Sequence, residues 1–159
     1  MSHWVSVCGM RRILSASLGL GLLPRRWRGS DSGAGTMGAL LGAGIGLLLL
    51  ALHSPWWATA LVAAALTGLS LWAVRPFAAD GADPGWVCLD ETAGTVVALI
   101  GLGGWGWVVA AVVARLADIF KVLPGIAAAE RLPGAIGVTA DDVLAGLYGL
   151  AAGWGVTAL

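Results

Sequence analysis

The chain of 159 residues carries nine acidic residues, and eight of them follow position 79. Five of those eight fall in three tight groups: Asp90-Glu91, Asp118 and Asp141-Asp142. Two cations lie among them, Arg115 three residues before Asp118 and Lys121 three after it. Carboxylates alone suit a hard cation such as Mg²⁺, which prefers near-octahedral carboxylate and water ligation. Arginine and lysine suit phosphate, arginine through its bidentate fork. These residue types together point to phosphoryl chemistry. Each group also has a plainer explanation. Asp90-Glu91 fit the first turn of a helix, where the dipole favours acids. Thr139-x-x-Asp142 approaches a capping box. Arg115, Asp118 and Lys121 fit an ion-paired strip at a helix end. None of these explains why five carboxylates and two cations should meet.

Other chemistries have little to draw on. Cys8 and Cys88 are too few and too scattered for a disulfide framework or a zinc site, and His3 and His53 are the only imidazoles. Cys88 has no neighbouring cation in sequence to lower its thiol pKa, so it reads as a packing residue. His53 reads as an interfacial loop residue.

The elements that position the charges read as membrane helices. Hydrophobic residues make up 58% of the chain and charged ones 11%, against roughly 25% charged in soluble domains. The mean hydropathy is +0.88. No charge occurs over 32–74, 92–114 or 143–159, and a membrane helix needs about 20 apolar residues. The fold class expected is an all-α, compact multi-helix integral membrane bundle with a charged cytoplasmic face. Nine basic residues balance nine acidic ones, so nothing favours a nucleic-acid partner. No protein partner is predicted.

Residues 1–35 read as an arginine-rich N-terminal segment with a short apolar helix over 13–23 and a polar linker over 29–35. The helix is expected to lie on the membrane or insert partly, since no A-x-A pattern marks it as a signal peptide. Residues 36–159 read as the membrane-embedded domain. Thr36 is expected to cap a helix to about Leu52, Pro55 to break it, and a second helix to run over 56–74. A loop follows over 77–84, and a last helix is expected over 140–158.

Residues 92–114 look like one straight span. A helix from Glu91 to Arg115 would be about 36 Å long and would hold Asp90-Glu91 and Asp118 on opposite membrane faces. Four glycines within 101–106 oppose it, each costing up to about 1 kcal/mol in a helix interior. The expectation is a helical hairpin over about 90–121, folded back at Gly103-Gly104. The hairpin also puts all nine basic residues on the cytoplasmic side, as the positive-inside rule favours. Trp56, Trp57, Trp105 and Trp107 then fall near the outer interface.

The motifs match a family. Asp83-Pro84 through Asp90-Glu91-x-x-Gly94, Arg115-Leu-Ala-Asp118-Ile-x-Lys121, and Leu132-Pro-Gly134-x-x-Gly137-x-x-x-Asp141-Asp142-x-x-Ala145-Gly146 resemble phosphatidylglycerophosphatase A. Gly35-Thr36-Met37-Gly38 resembles that family's N-terminal glycine–threonine element. The resemblance covers about 13–159. Val122 stands where the family usually has proline, Ala135 where it has a second loop glycine, and Thr139 where it has methionine. The resemblance implies a Mg²⁺-dependent enzyme of the bacterial inner membrane with its site facing the cytoplasm. Such an enzyme hydrolyses the terminal phosphomonoester of phosphatidylglycerophosphate to give phosphatidylglycerol. It implies catalytic and metal-holding roles for Asp90, Glu91, Asp118, Asp141 and Asp142, and phosphate binding by Arg115 and Lys121. Water and carboxylate remain open as the nucleophile. Glu130-Arg131 and residues 133–138 read equally as a loop closing over the head group or as a solvated linker. The rival readings are a non-catalytic membrane scaffold or transporter subunit, and a phosphatase of another lipid phosphate.

Overall fold

A computed structural model describes residues 2–79 and 84–159, with side chains described from Val7 onward. Asp80 and Asp83, and with them half of the expected 77–84 loop, lie outside the described residues. Those described form eight α-helices and no strand: α1 (Ser2–Ser15), α2 (Leu23–Arg28), α3 (Ala34–Ala51), α4 (Trp56–Ala73), α5 (Leu89–Ala98), α6 (Gly104–Phe120), α7 (Ile126–Glu130) and α8 (Ala135–Thr157). Three of them, α3, α4 and α8, are long and apolar enough to cross a membrane. Leu47 and Leu48 on α3 and Leu61 on α4 are exposed, as expected of helices that are apolar all round and face lipid.

The expected hairpin forms. α5 and α6 are joined by a turn in which Gly101 and Gly104 take φ of 70° and 54°, values open to glycine at little cost. At about 15 Å, α5 is too short to span a bilayer. It lies inside the bundle, packed by α3, α4 and α8, and all its residues except Glu91 are buried. Its ends are therefore enclosed by protein rather than lipid, which backbone polar groups at this depth require. The core is built from small residues, among them Ala63, Ala93, Ala98, Ala110, Ala114 and Ala145. Small residues let helices approach closely where lipid removes the usual hydrophobic drive. Trp56, Trp57 and Trp105 are exposed, and Trp56 flanks Gly101 at the turn of the hairpin. His53 is exposed between α3 and α4.

Three expectations are corrected. Residues 13–23 are not one helix: α1 ends at Ser15, Ser17, Leu18 and Gly19 all take positive φ, and a 3-10 turn follows over Leu20–Leu22. This turn is anchored in the core, where the Cys88 amide donates to the Ser15 carbonyl at 2.9 Å. Thr36 does not cap α3; Gly33 does, in the left-handed conformation, and Thr36 lies within the first turn. Finally, α8 begins at Ala135, five residues before the expected start. Its N-cap is Gly134, with φ 61° and ψ −145°, a region open essentially to glycine. Gly137 therefore sits in a helix rather than a loop.

Candidate active site

The early start of α8 changes what Asp141 and Asp142 are. They lie nearly two turns inside the helix, and its first turn contains no acid. The capping-box explanation therefore fails. Thr139 is buried and its hydroxyl lies 2.9 Å from that of Ser70 on α4. Asp90 and Glu91 do sit in the first turn of α5, yet they face the other acids instead of solvent.

All three acidic groups meet at one end of the bundle. Carboxylate oxygens of Asp90, Glu91 and Asp142 lie within 4.8 Å of one another, and so do those of Asp118, Asp141 and Asp142. Asp142 belongs to both sets. Arg115 pairs closely with Asp118 on the same face of α6 and lies 3.9 Å from Glu91. Lys121 Nζ donates to Asp141 at 2.8 Å and to Glu130 at 2.5 Å. All seven residues singled out in the sequence are thus brought together.

Missing side chains set these distances. A methyl group at Gly94 would run into the Asp142 backbone, and one at Gly146 into the carbonyl of Gly94. α5 and α8 touch backbone to backbone at this crossing. Glu91 lies one turn before Gly94, and Asp142 one turn before Gly146. On α3, a methyl group at Gly35 would collide with the Glu91 carboxylate and stand 2.9 Å from Nη2 of Arg115. Thr36 Oγ1 accepts from that nitrogen at 3.5 Å. Gly38 and Gly42 seat α3 against Cys88 and Thr92 in the same way.

Beneath Glu91 lies a polar network that sequence reasoning did not find. Ser17 Oγ donates to the Cys88 carbonyl at 3.0 Å and lies 2.7 Å from Thr92 Oγ1. Thr92 Oγ1 also donates to the Gly38 carbonyl at 2.9 Å. The network ties the turn after α1 to the starts of α3 and α5. Only the glycine–threonine element hinted at any of it. Cys88 is fully buried, and burial pushes its thiol up to about 11. A thiol so protonated is no nucleophile, consistent with a packing role.

Lys121 ends α6 in the left-handed conformation, φ 51° and ψ 28°, a cost of about 1 kcal/mol or more for a residue with a Cβ. That backbone turns the ammonium back over α8. Burial alone would lower its pKa, but the hydrogen bonds to Asp141 and Glu130 outweigh it and the net shift is upward. The lysine is therefore a permanent charge.

The donor set fits a hard divalent cation. It is all oxygen, and Glu91 Oε2 and Asp141 Oδ1 are buried with no hydrogen-bond partner in the protein. Buried carboxylate oxygens left so are costly unless something ligates them. The space between Glu91, Arg115, Asp118 and Asp142 is about 10 Å³, room for an ion or one water and not for a head group. Residues 135–138, expected in a loop, form the first turn of α8, and Glu130 is held by Lys121.

Comparison with known proteins gives the same direction. The family model for phosphatidylglycerophosphatase A matches residues 13–157. A Bacteroides thetaiotaomicron protein provisionally named a phosphatidylinositol-3-phosphatase is 37% identical over 123 residues, covering 72% of this chain and 77% of that protein. No solved structure matches to a significant level. A scaffold or transporter-subunit reading is thereby set aside. A match that spans all three acidic motifs and every helix from α2 to α8 shows that the chain belongs to the phosphatidylglycerophosphatase A family, membrane-associated lipid phosphatases that hydrolyse phosphoric monoesters.

Proposed function

We propose that the protein hydrolyses the terminal phosphomonoester of phosphatidylglycerophosphate, releasing phosphatidylglycerol and phosphate. The observation that carries this reading is the meeting of five carboxylates with Arg115 and Lys121 at one end of a membrane bundle. The family match supports it. Asp90, Glu91, Asp118, Asp141 and Asp142 are the residues that would hold Mg²⁺, with Asp142 common to both groups of three. When bound, such a cation polarises phosphoryl oxygens and offsets the charge that builds on them.

The chain's own residues supply the rest. Arg115 and Lys121 exchange their present acidic partners for the phosphate oxygens, where fixed charge stabilises the transition state. Of Asp118 and Asp141, both released by that exchange, one that does not ligate the cation is placed to take the proton of an attacking water. The water oxygen bonds to phosphorus as the P–O bond to glycerol breaks, and the leaving oxygen takes up the proton that the carboxylate received from the water. α5, enclosed on three sides, keeps this chemistry away from bulk water. The site faces the cytoplasm of a bacterial inner membrane, because that orientation keeps Arg115, Lys121 and Arg131 on the side of the N-terminal arginines.

A second reading follows from the Bacteroides relative, whose name points to phosphatidylinositol 3-phosphate. Phosphate release from vesicles holding either lipid as the only phosphomonoester separates the two. Turnover of phosphatidylglycerophosphate should be at least about tenfold faster, a margin of about 1.4 kcal/mol. Equal or reversed rates would favour the second reading, and no release from either would overturn both.

A further inference from the structure

A second space adjoins the carboxylate chamber and is of head-group size. A cleft of about 930 Å³ opens between the end of α4, the stretch after α7 and the first turns of α8, and it reaches Asp141. Leu71, Ile136 and Val138 give it an apolar wall; Arg75 and Arg131 give it a cationic one. Leu71 lies in the last turn of α4, and Arg75 stands just beyond the end of that helix. The cleft thus pairs an apolar wall from the helix ends with two arginines just outside them. At its inner end Lys121 bridges Glu130 and Asp141. Among the described residues, neither Arg75 nor Arg131 takes part in an ion pair. Lys121 and Arg115 account for one phosphate at the carboxylates. Two further arginines in the adjoining cleft, Arg75 just past α4 and Arg131 just before α8, call for a second anion.

We propose that Arg75 and Arg131 form a subsite for the phosphodiester of the substrate lipid, held while its terminal phosphomonoester lies at Lys121 and Arg115. The inference rests on the phosphatase reading above and adds a rule of selection. Lipids that carry both a phosphodiester and a terminal phosphomonoester are taken well, and a lipid with a monoester alone, phosphatidic acid, is taken poorly. Guanidinium groups suit the diester oxygens through paired hydrogen bonds. The apolar wall takes the start of an acyl chain.

Two measurements on the full chain in lipid nanodiscs test it. The first compares kcat/KM for phosphatidylglycerophosphate and for phosphatidic acid in the wild type and in an Arg75→Gln, Arg131→Gln double variant. The preference for the two-phosphate lipid should fall about tenfold or more, as expected for lost charged hydrogen bonds, and the loss should sit in KM. Equal losses on both lipids, or none, would overturn the subsite. The second needs no hydrolysis: native mass spectrometry of phosphatidylglycerol and diacylglycerol binding. The double variant should lose about tenfold in affinity for phosphatidylglycerol and nothing for diacylglycerol, which lacks the diester. Unchanged phosphatidylglycerol binding would overturn the subsite. Arginine-dependent binding without turnover of phosphatidylglycerophosphate would instead sink the substrate reading and leave the subsite standing.

Discussion

Gly146 of α8 lies directly against Gly94 of α5: a methyl group at Gly146 would stand 3.0 Å from the carbonyl carbon of Gly94 and 3.2 Å from the Cβ of Val97. This contact fixes how near Asp142 comes to Glu91 and Asp90. Gly146→Ala should push the two helices apart. Overpacking of this kind costs about 1–3 kcal/mol. Thermal unfolding in detergent should register that cost, and phosphate release should fall at least about tenfold, since small misplacements are expensive in catalysis. Full activity in a stably folded Gly146→Ala variant would show that the crossing does not set the site.

Asp142 is the one carboxylate common to both groups of three. Asp142→Asn should therefore lose more activity than Asp90→Asn or Asp118→Asn, and on the order of 10²-fold or more. Mg²⁺ should raise the melting temperature of the wild type, because a ligand stabilises the state that binds it, and Asp142→Asn should abolish that rise. A Mg²⁺-induced rise as large in the variant would place the cation elsewhere.

Lys121 yields a prediction about pH. Its pKa is raised on folding, so its ion pairs stabilise the fold fully below the ordinary lysine value of about 10.4 and weaken only as pH climbs through the higher folded value. Between pH 6 and 9 the lysine stays charged. Lys121→Gln should then lower kcat/KM by about 10²-fold, by the same factor at pH 6.5 and at pH 8.5. A defect that shrinks toward pH 8.5 would mean that the lysine titrates in that range.

Sidedness follows from the positive charges. Val122 borders the site and is exposed, so a Val122→Cys variant in a Cys8→Ser background reports the face. An impermeant maleimide should label it only when it has access to the cytoplasmic side. Labelling from the outside would invert the orientation.

Part of this arrangement was legible in residue order alone. Uncharged stretches gave α3 and α4 to within about two residues at each end. The glycines at 101–106 gave the hairpin, because positive φ at two of them is a local demand. The start of α8 was hidden, since Gly134 and Gly137 look like loop residues. Gly137 is glycine for want of space, not to turn the chain: the carbonyls of Glu130 and Leu132, folded back from the stretch before α8, occupy the place a side chain would need. The turn at Ser17–Gly19 was hidden likewise, being held by Cys88 and Thr92 from far along the chain. Gly35 belonged to a recognisable element, but only the structure reveals that its missing Cβ makes room for Glu91. The five carboxylates could be named from their spacing; their mutual distances depended on glycine contacts between helices.

These carboxylates are proposed to form one metal-dependent centre for lipid phosphomonoester hydrolysis. Purified protein in nanodiscs, given phosphatidylglycerophosphate, tests it most directly through inorganic phosphate release. Release should require Mg²⁺, stop with chelator, return when Mg²⁺ is restored, and be lost in Asp142→Asn. Release that persists in chelator, or that Asp142→Asn leaves at the wild-type rate, would contradict the claim.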